Sequence, residues 1–104
     1  MSNLKDYTKG WLVGDFEPSL FKSETCEVGI KEYKAGTVET LHVHHIVTEY
    51  TVVLSGTIIM LEKQFSKGDI IKIAPGVPNQ FHSVTDSMLL VIKTPSVPTD
   101  KQEL

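Results

Sequence analysis

The chain has 104 residues, 40% hydrophobic and 22% charged, with ten basic residues against thirteen acidic and a net charge of −3. That length is one domain, residues 1–104, and the balance excludes a disordered chain, a collagen and a coiled coil. Apolar runs are short, as in Ile58-Ile59-Met60-Leu61, and the lysines are scattered, so neither a membrane-spanning helix nor a nucleic-acid partner is predicted.

The first six residues, Met1 to Asp6, carry no apolar leader, and Cys26 is the single cysteine. Together they predict a reducing, cytoplasmic location and no intramolecular disulfide. An N-terminal arm over residues 1–25 has Tyr7, Trp11 and Phe16 to pack on something, and a short strand at Trp11–Val13. The barrel core is predicted over residues 26–93. Its strands read as Cys26–Tyr33, Val38–His44, Thr48–Leu54, Thr57–Leu61, Ile70–Ile73, Asn79–Val84 and Ser87–Lys93. Turn residues separate them: Lys34-Ala-Gly36, Ser55-Gly56, Ser66-Lys-Gly-Asp69 and Ala74-Pro-Gly-Val-Pro78. No stretch of ten residues repeats its apolar positions at helical spacing. Evenly spaced strands with turn signals predict an all-β sandwich or barrel. Residues 94–104 open on Pro95-Ser-Val-Pro98 and are predicted to be a polar, extended or frayed tail.

Side chains alternate between the faces of a strand. Val38, Thr40, His42 and His44 then share one face, and Glu39, Leu41 and Val43 the other. In the next strand Glu49, Thr51 and Val53 share one face, and Tyr50, Val52 and Leu54 the other. Both faces of that strand are apolar, so something must cover the outer one. A domain this small also buries only about 60–65% of its unfolded surface. A homodimer through Tyr50, Val52 and Leu54, with Leu41 and Val43, is predicted.

His42 and His44 point the same way with their rings close together, which suits two imidazoles on one ion. The segment His45-Ile-Val-Thr48 turns the chain, and Glu49 opens the next strand. Two histidines and one carboxylate with open positions suit non-haem Fe(II), and Mn, Ni and Zn accept the same set.

The full spacing is Gly36, five residues, His42, one residue, His44, four residues, Glu49, six residues, Gly56. It resembles the first motif of the cupin superfamily at every specified position. The second motif is only partly present. Gly68, Asp69 and Gly76 fit, and Pro75 stands beside the expected proline. Asn79 holds the place of the fourth ligand, and Ser83 replaces a closing asparagine. The resemblance covers about residues 26–93. It implies an antiparallel jelly-roll β-barrel with metal and substrate in the barrel mouth. One divalent ion (Fe, Mn, Ni or Zn) is expected on His42, His44 and Glu49, with Asn79 or water as the fourth ligand. His82, three residues beyond Asn79, is the alternative, and reaches the ion only if a bulge shifts the register.

What the resemblance implies is a metal-dependent enzyme on a small, oxygen-rich metabolite, a sugar or a hydroxy- or oxo-acid. Isomerase, epimerase and dioxygenase chemistry all fit, and small cupins of carbohydrate metabolism are similar. Thr40, Thr51 and Phe81 are the expected substrate contacts. Two other readings stand beside it: a non-catalytic module binding a sugar or other small molecule, and a metal-free isomerase using His42 or His44 as base. No catalytic residue is assigned.

Overall fold

Val, Ile and Thr crowd the predicted strands, and branched side chains fit a pleated sheet better than a helix. The computed structural model describes residues 1–104. After two 3-10 turns, Leu4–Asp6 and Thr8–Gly10, the chain forms strands only. They are β1 (Trp11–Gly14), β2 (Phe21–Lys22), β3 (Glu27–Tyr33), β4 (His42–Val43), β5 (Thr48–Ser55), β6 (Thr57–Met60), β7 (Lys63–Ser66), β8 (Ile70–Ile73), β9 (His82–Ser83), β10 (Ser87–Thr94) and β11 (Gln102–Glu103).

Six strands make one sheet in the order β2-β1-β3-β10-β5-β8, antiparallel except at β1–β2. The opposing layer runs β7-β6-β9. Bridges at Val38–His82 and His42–Asn79 carry it on to β4, which pairs with β11. The core lies between the layers. Val53, Ile71, Ile73, Leu89 and Val91 come from the six-stranded sheet, and Ile58, Met60 and Phe81 from the other. This is the expected all-β jelly-roll barrel.

Most strands lie within a residue or two of their predicted spans. The exceptions are Val38–His44, of which only His42–Val43 runs in a ladder, and Asn79–Val84, of which only His82–Ser83 does. Val38 bridges His82, whereas His42 bridges Asn79. Four steps on one side therefore face three on the other, and one extra residue is accommodated as a bulge between Glu39 and Leu41. The bulge breaks the alternation: Glu39 and His42 both line the interior, while Thr40 is exposed.

The barrel also recruits both ends of the chain. The arm supplies β1 and β2 to the large sheet. The tail is extended, but it is not frayed. Ser96 and Asp100 are buried, Gln102 pairs with Val43 and Glu103 with His42. Gly29 on β3 makes room for the arm: a Cβ there would stand 2.7 Å from the indole of Trp11. Gly56, between β5 and β6, has φ +85° as its turn position requires.

Candidate metal centre

A cavity of about 470 Å³ lies between the layers, and His42, His44, Glu49 and Asn79 all line it. β4 and the residue after it present the two histidines, and β5 presents the glutamate. All four are buried, at 4–8% exposure.

The imidazoles are set by backbone carbonyls. Nδ1 of His42 donates to the carbonyl of Thr40 at 3.0 Å. Nδ1 of His44 donates to the carbonyl of Asp100. A carbonyl cannot donate, so each ring carries its proton on Nδ1 and its lone pair on Nε2. The ring centroids are 5.2 Å apart and the rings meet edge to face. Nε2 of His44 is buried and has no hydrogen-bond partner.

Burial lowers the His44 pKa below the ordinary histidine value. The charges of Lys93 and His42 act in the same direction, while the Asp100 carbonyl and Glu49 oppose it. The ring is therefore neutral near pH 7, the form in which imidazole ligates.

These residues fit a divalent ion at their histidine half: two imidazoles lining one cavity, with one Nε2 orphaned. Glu49 lines the same space. The expected three-donor cluster is nevertheless not closed, since no three His, Cys, Asp or Glu side chains converge to hold an ion. Glu49 stands level with Lys93 on the neighbouring strand β10.

Asn79 lines the cavity, but the oxygen that would ligate is engaged. Oδ1 accepts the backbone N–H of Leu61 at 3.1 Å. Leu61 and Glu62 have φ of +51° and +61°, a two-residue turn joining β6 to β7 without the usual Asn-Gly. His82 pairs with Ile59 and does not line the cavity. The bulge that could have turned it inward sits on the opposite segment and turns Glu39 and His42 inward instead. Of the expected substrate contacts, Thr51 and Phe81 line the cavity and are almost fully buried. Thr40 does not, because the bulge turns its side chain out.

Several lining residues were not anticipated: Trp11, Lys31, Tyr33, Glu39, Lys93 and Asp100. Lys31 and Lys93 had a signal. Each continues an inward alternation, Gly29-Lys31-Tyr33 and Leu89-Val91-Lys93. Burial pushes Lys31 down to about 8, with Glu39 opposing and Lys93, Lys9 and Lys101 adding to the effect. Burial also raises the Tyr33 phenol, as do the charges of Glu39 and Glu49. The Asp100 carboxyl would be raised by burial alone, but the N–H groups of Val47, His45 and Ile46 outweigh that and hold it low.

Comparison with protein-family models and with curated proteins finds no match. Comparison with solved structures does. The DMSP lyase DddQ from Ruegeria pomeroyi DSS-3 superposes with TM-score 0.74 at 20% identity, over 89% of this chain and 49% of the lyase. A conserved protein with a double-stranded β-helix domain from Klebsiella pneumoniae gives TM-score 0.74 at 13% identity, over 99% of this chain and 89% of that one. An RmlC-like cupin from Desulfovibrio desulfuricans gives 0.64 at 24% identity, over 74% and 78%. The chain has the cupin fold. The chain spans about half the length of the lyase, and at these identities the likeness is one of fold. No helix in it is long and apolar enough to cross a membrane.

Proposed function

We propose that this cupin is a metal-dependent enzyme whose cavity takes a small, oxygen-rich molecule. The observation that carries the reading is the pair of imidazoles lining one cavity, with Nε2 of His44 buried and without a partner. His42 and His44 would hold one divalent ion (Fe, Mn, Ni or Zn), with Glu49 as the third donor. When bound, the ion supplies Lewis acidity to ligand oxygens. The chain's own part is to keep both ring protons on Nδ1 through Thr40 and Asp100. Phe81 and Thr51 shape the wall beside them, and a cavity of this size suits a small metabolite. That a similar fold is named a lyase supports catalysis, although one fold hosts many reactions.

The test is elemental analysis of protein purified without chelator, beside the His42→Ala/His44→Ala double variant. About one ion per chain in the wild type and none in a folded variant is expected. Equal metal content in both would reject the reading.

The same proposal places the protein as a homodimer in the cytoplasm. The outer face of the large sheet supports the dimer. There Leu90 pairs with Ile30 and Val52, Ile92 with Val28 and Tyr50, and Val52 with Ile70. These residues are only half-buried, and Ile70 is 69% exposed. An apolar face of this kind is costly to leave wet. Leu41 and Val43, expected beside Tyr50, belong to the opposing layer, and Val43 is buried there.

A further inference from the structure

The chain has ten lysines and no arginine, and four of the lysines, Lys9, Lys31, Lys93 and Lys101, line the one cavity that holds the histidines. Lys9 and Lys101 are exposed, whereas Lys31 and Lys93 are half-buried. Neither half-buried ammonium has a carboxylate within 4.0 Å: the molecule's one ion pair, Lys22–Glu17 at 3.9 Å, is on the surface. Glu39 and Glu49 line the same cavity, and Glu39 favours the Lys31 charge, while two further acids are held by other donors. Glu27 accepts the Ser96 hydroxyl, and the Asp100 carboxylate accepts three backbone N–H groups.

Both ammonium groups lie over the ring of Trp11, Lys31 at 5.0 Å and Lys93 at 4.7 Å from its centroid. Cation–π attraction to one shared ring offsets part of their desolvation, but it cannot remove the repulsion between them. Lys31 also donates to the carbonyl of Lys9. Lys93 has no hydrogen-bond partner in the protein. It stands level with Glu27 and Glu49 on the inner face of the sheet. Two partly desolvated cations facing a cavity are a built site for an anion.

We propose that Lys31 and Lys93, sharing the ring of Trp11, form the subsite for a carboxylate group, so that the molecule taken by this cavity is a small organic acid. The proposal rests on the reading that the cavity binds a small molecule, and it names that molecule's class. Lys31 and Lys93 line the same cavity as His42 and His44. An acid held by the two lysines therefore occupies space that the histidines also line.

Trp11 is the only tryptophan, so its fluorescence reports this subsite directly. The full chain is titrated with succinate and with its neutral isostere succinamide, with and without added Mn²⁺. Saturable change with succinate and none with succinamide is expected. Lys31→Gln and Lys93→Gln should each weaken succinate about 10- to 100-fold, the range of a hydrogen bond to a charged group, while Lys93→Arg should hold it within about threefold. The His42→Ala/His44→Ala variant separates the two readings. Lysine-dependent succinate binding that survives in it, with metal lost, supports both. The same binding with no metal bound even by the wild type supports the acid subsite and rejects the metal. Equal response to succinamide, full affinity in the folded Gln variants, or no saturation in the wild type by about 10 mM would overturn the proposal. Should the Gln variants not fold, the wild type decides: its succinate affinity must fall as salt is raised, and a salt-independent affinity overturns the subsite.

Discussion

The carbonyl of Asp100 accepts the Nδ1–H of His44, 56 residues earlier in the chain. The carboxylate of the same residue gathers the N–H groups of His45, Ile46 and Val47, each at 2.9 Å. One tail residue thus fixes the tautomer of a candidate ligand and the loop that carries the chain from that ligand to Glu49. Metal-binding histidines depend on such outer partners for orientation and basicity.

Asp100→Ala should therefore cost stability and metal affinity together. It leaves the buried N–H of Val47 without an acceptor and releases the tail. Loss of about 2–4 kcal/mol in urea unfolding is expected from charged hydrogen bonds of this kind, with metal affinity about tenfold weaker. Asp100→Asn, which keeps one acceptor oxygen, should lose less of both. Wild-type unfolding and wild-type affinity in Asp100→Ala would make the tail a bystander.

Asn79 should behave as a structural residue. Asn79→Ala removes the acceptor for Leu61 in a turn whose two central residues both have positive φ. About 1–2 kcal/mol of stability should be lost, with metal affinity changed by less than about threefold. His82→Ala should leave metal affinity unchanged. Isothermal titration of both variants checks this. A large loss of metal in Asn79→Ala alone would return the amide to the ligand set.

Stability should depend on pH in an unusual direction on the alkaline side. Burial holds Lys31 at about 8, while an unfolded lysine titrates near 10.5. Between those values the unfolded chain binds more protons than the folded one, so stability rises with pH. Below about 8 both states carry the charge, and the folded state bears its burial cost in full. Tyr33 acts the other way. Burial first, and then Glu39 and Glu49, raise its phenol above the ordinary 10.0, so above that pH the unfolded chain ionises first and stability falls. Urea midpoints taken from about pH 7.5 to 11 should climb and then drop. Lys31→Gln should flatten the climb, and Tyr33→Phe should soften the drop. A climb that survives in Lys31→Gln assigns it to another group.

The dimer is checked by light scattering. Leu90 lies between Ile30 and Val52 at the middle of the outer apolar face. Leu90→Asp should convert a dimer into a monomer that still binds metal, because its side chain points away from the cavity. A wild type that is monomeric at tens of micromolar would remove the dimer.

The ladders were legible because they depend on a period of two that the sequence carries openly, as in Ser87–Lys93 and Thr48–Leu54. The placement of His42, His44 and Glu49 in one cavity was legible for the same reason. What escaped was written in backbone groups. Asp100 binds amides, which every residue has, so no pattern in His45-Ile-Val47 announces it. The bulge at Thr40-Leu41 contains neither Gly nor Pro to mark it, and so Thr40 was assigned inward and Glu39 outward. Phe21–Lys22 and Lys63–Ser66 pair as exposed edge strands, where no buried face imposes alternation.

Strand order has a consequence for how the protein reaches this state. β10, the strand of Lys93, is inserted between β3 and β5. No continuous large sheet can exist until residues near 90 meet residues near 30, and that closure is entropically slow. Folding on the millisecond-to-second scale is expected for such a topology rather than the microseconds of a helical bundle. Lys31 and Lys93 come within reach of each other only through that same insertion. The anion subsite is thus absent from any partly folded chain, and succinate present during refolding should slow unfolding more than it speeds folding.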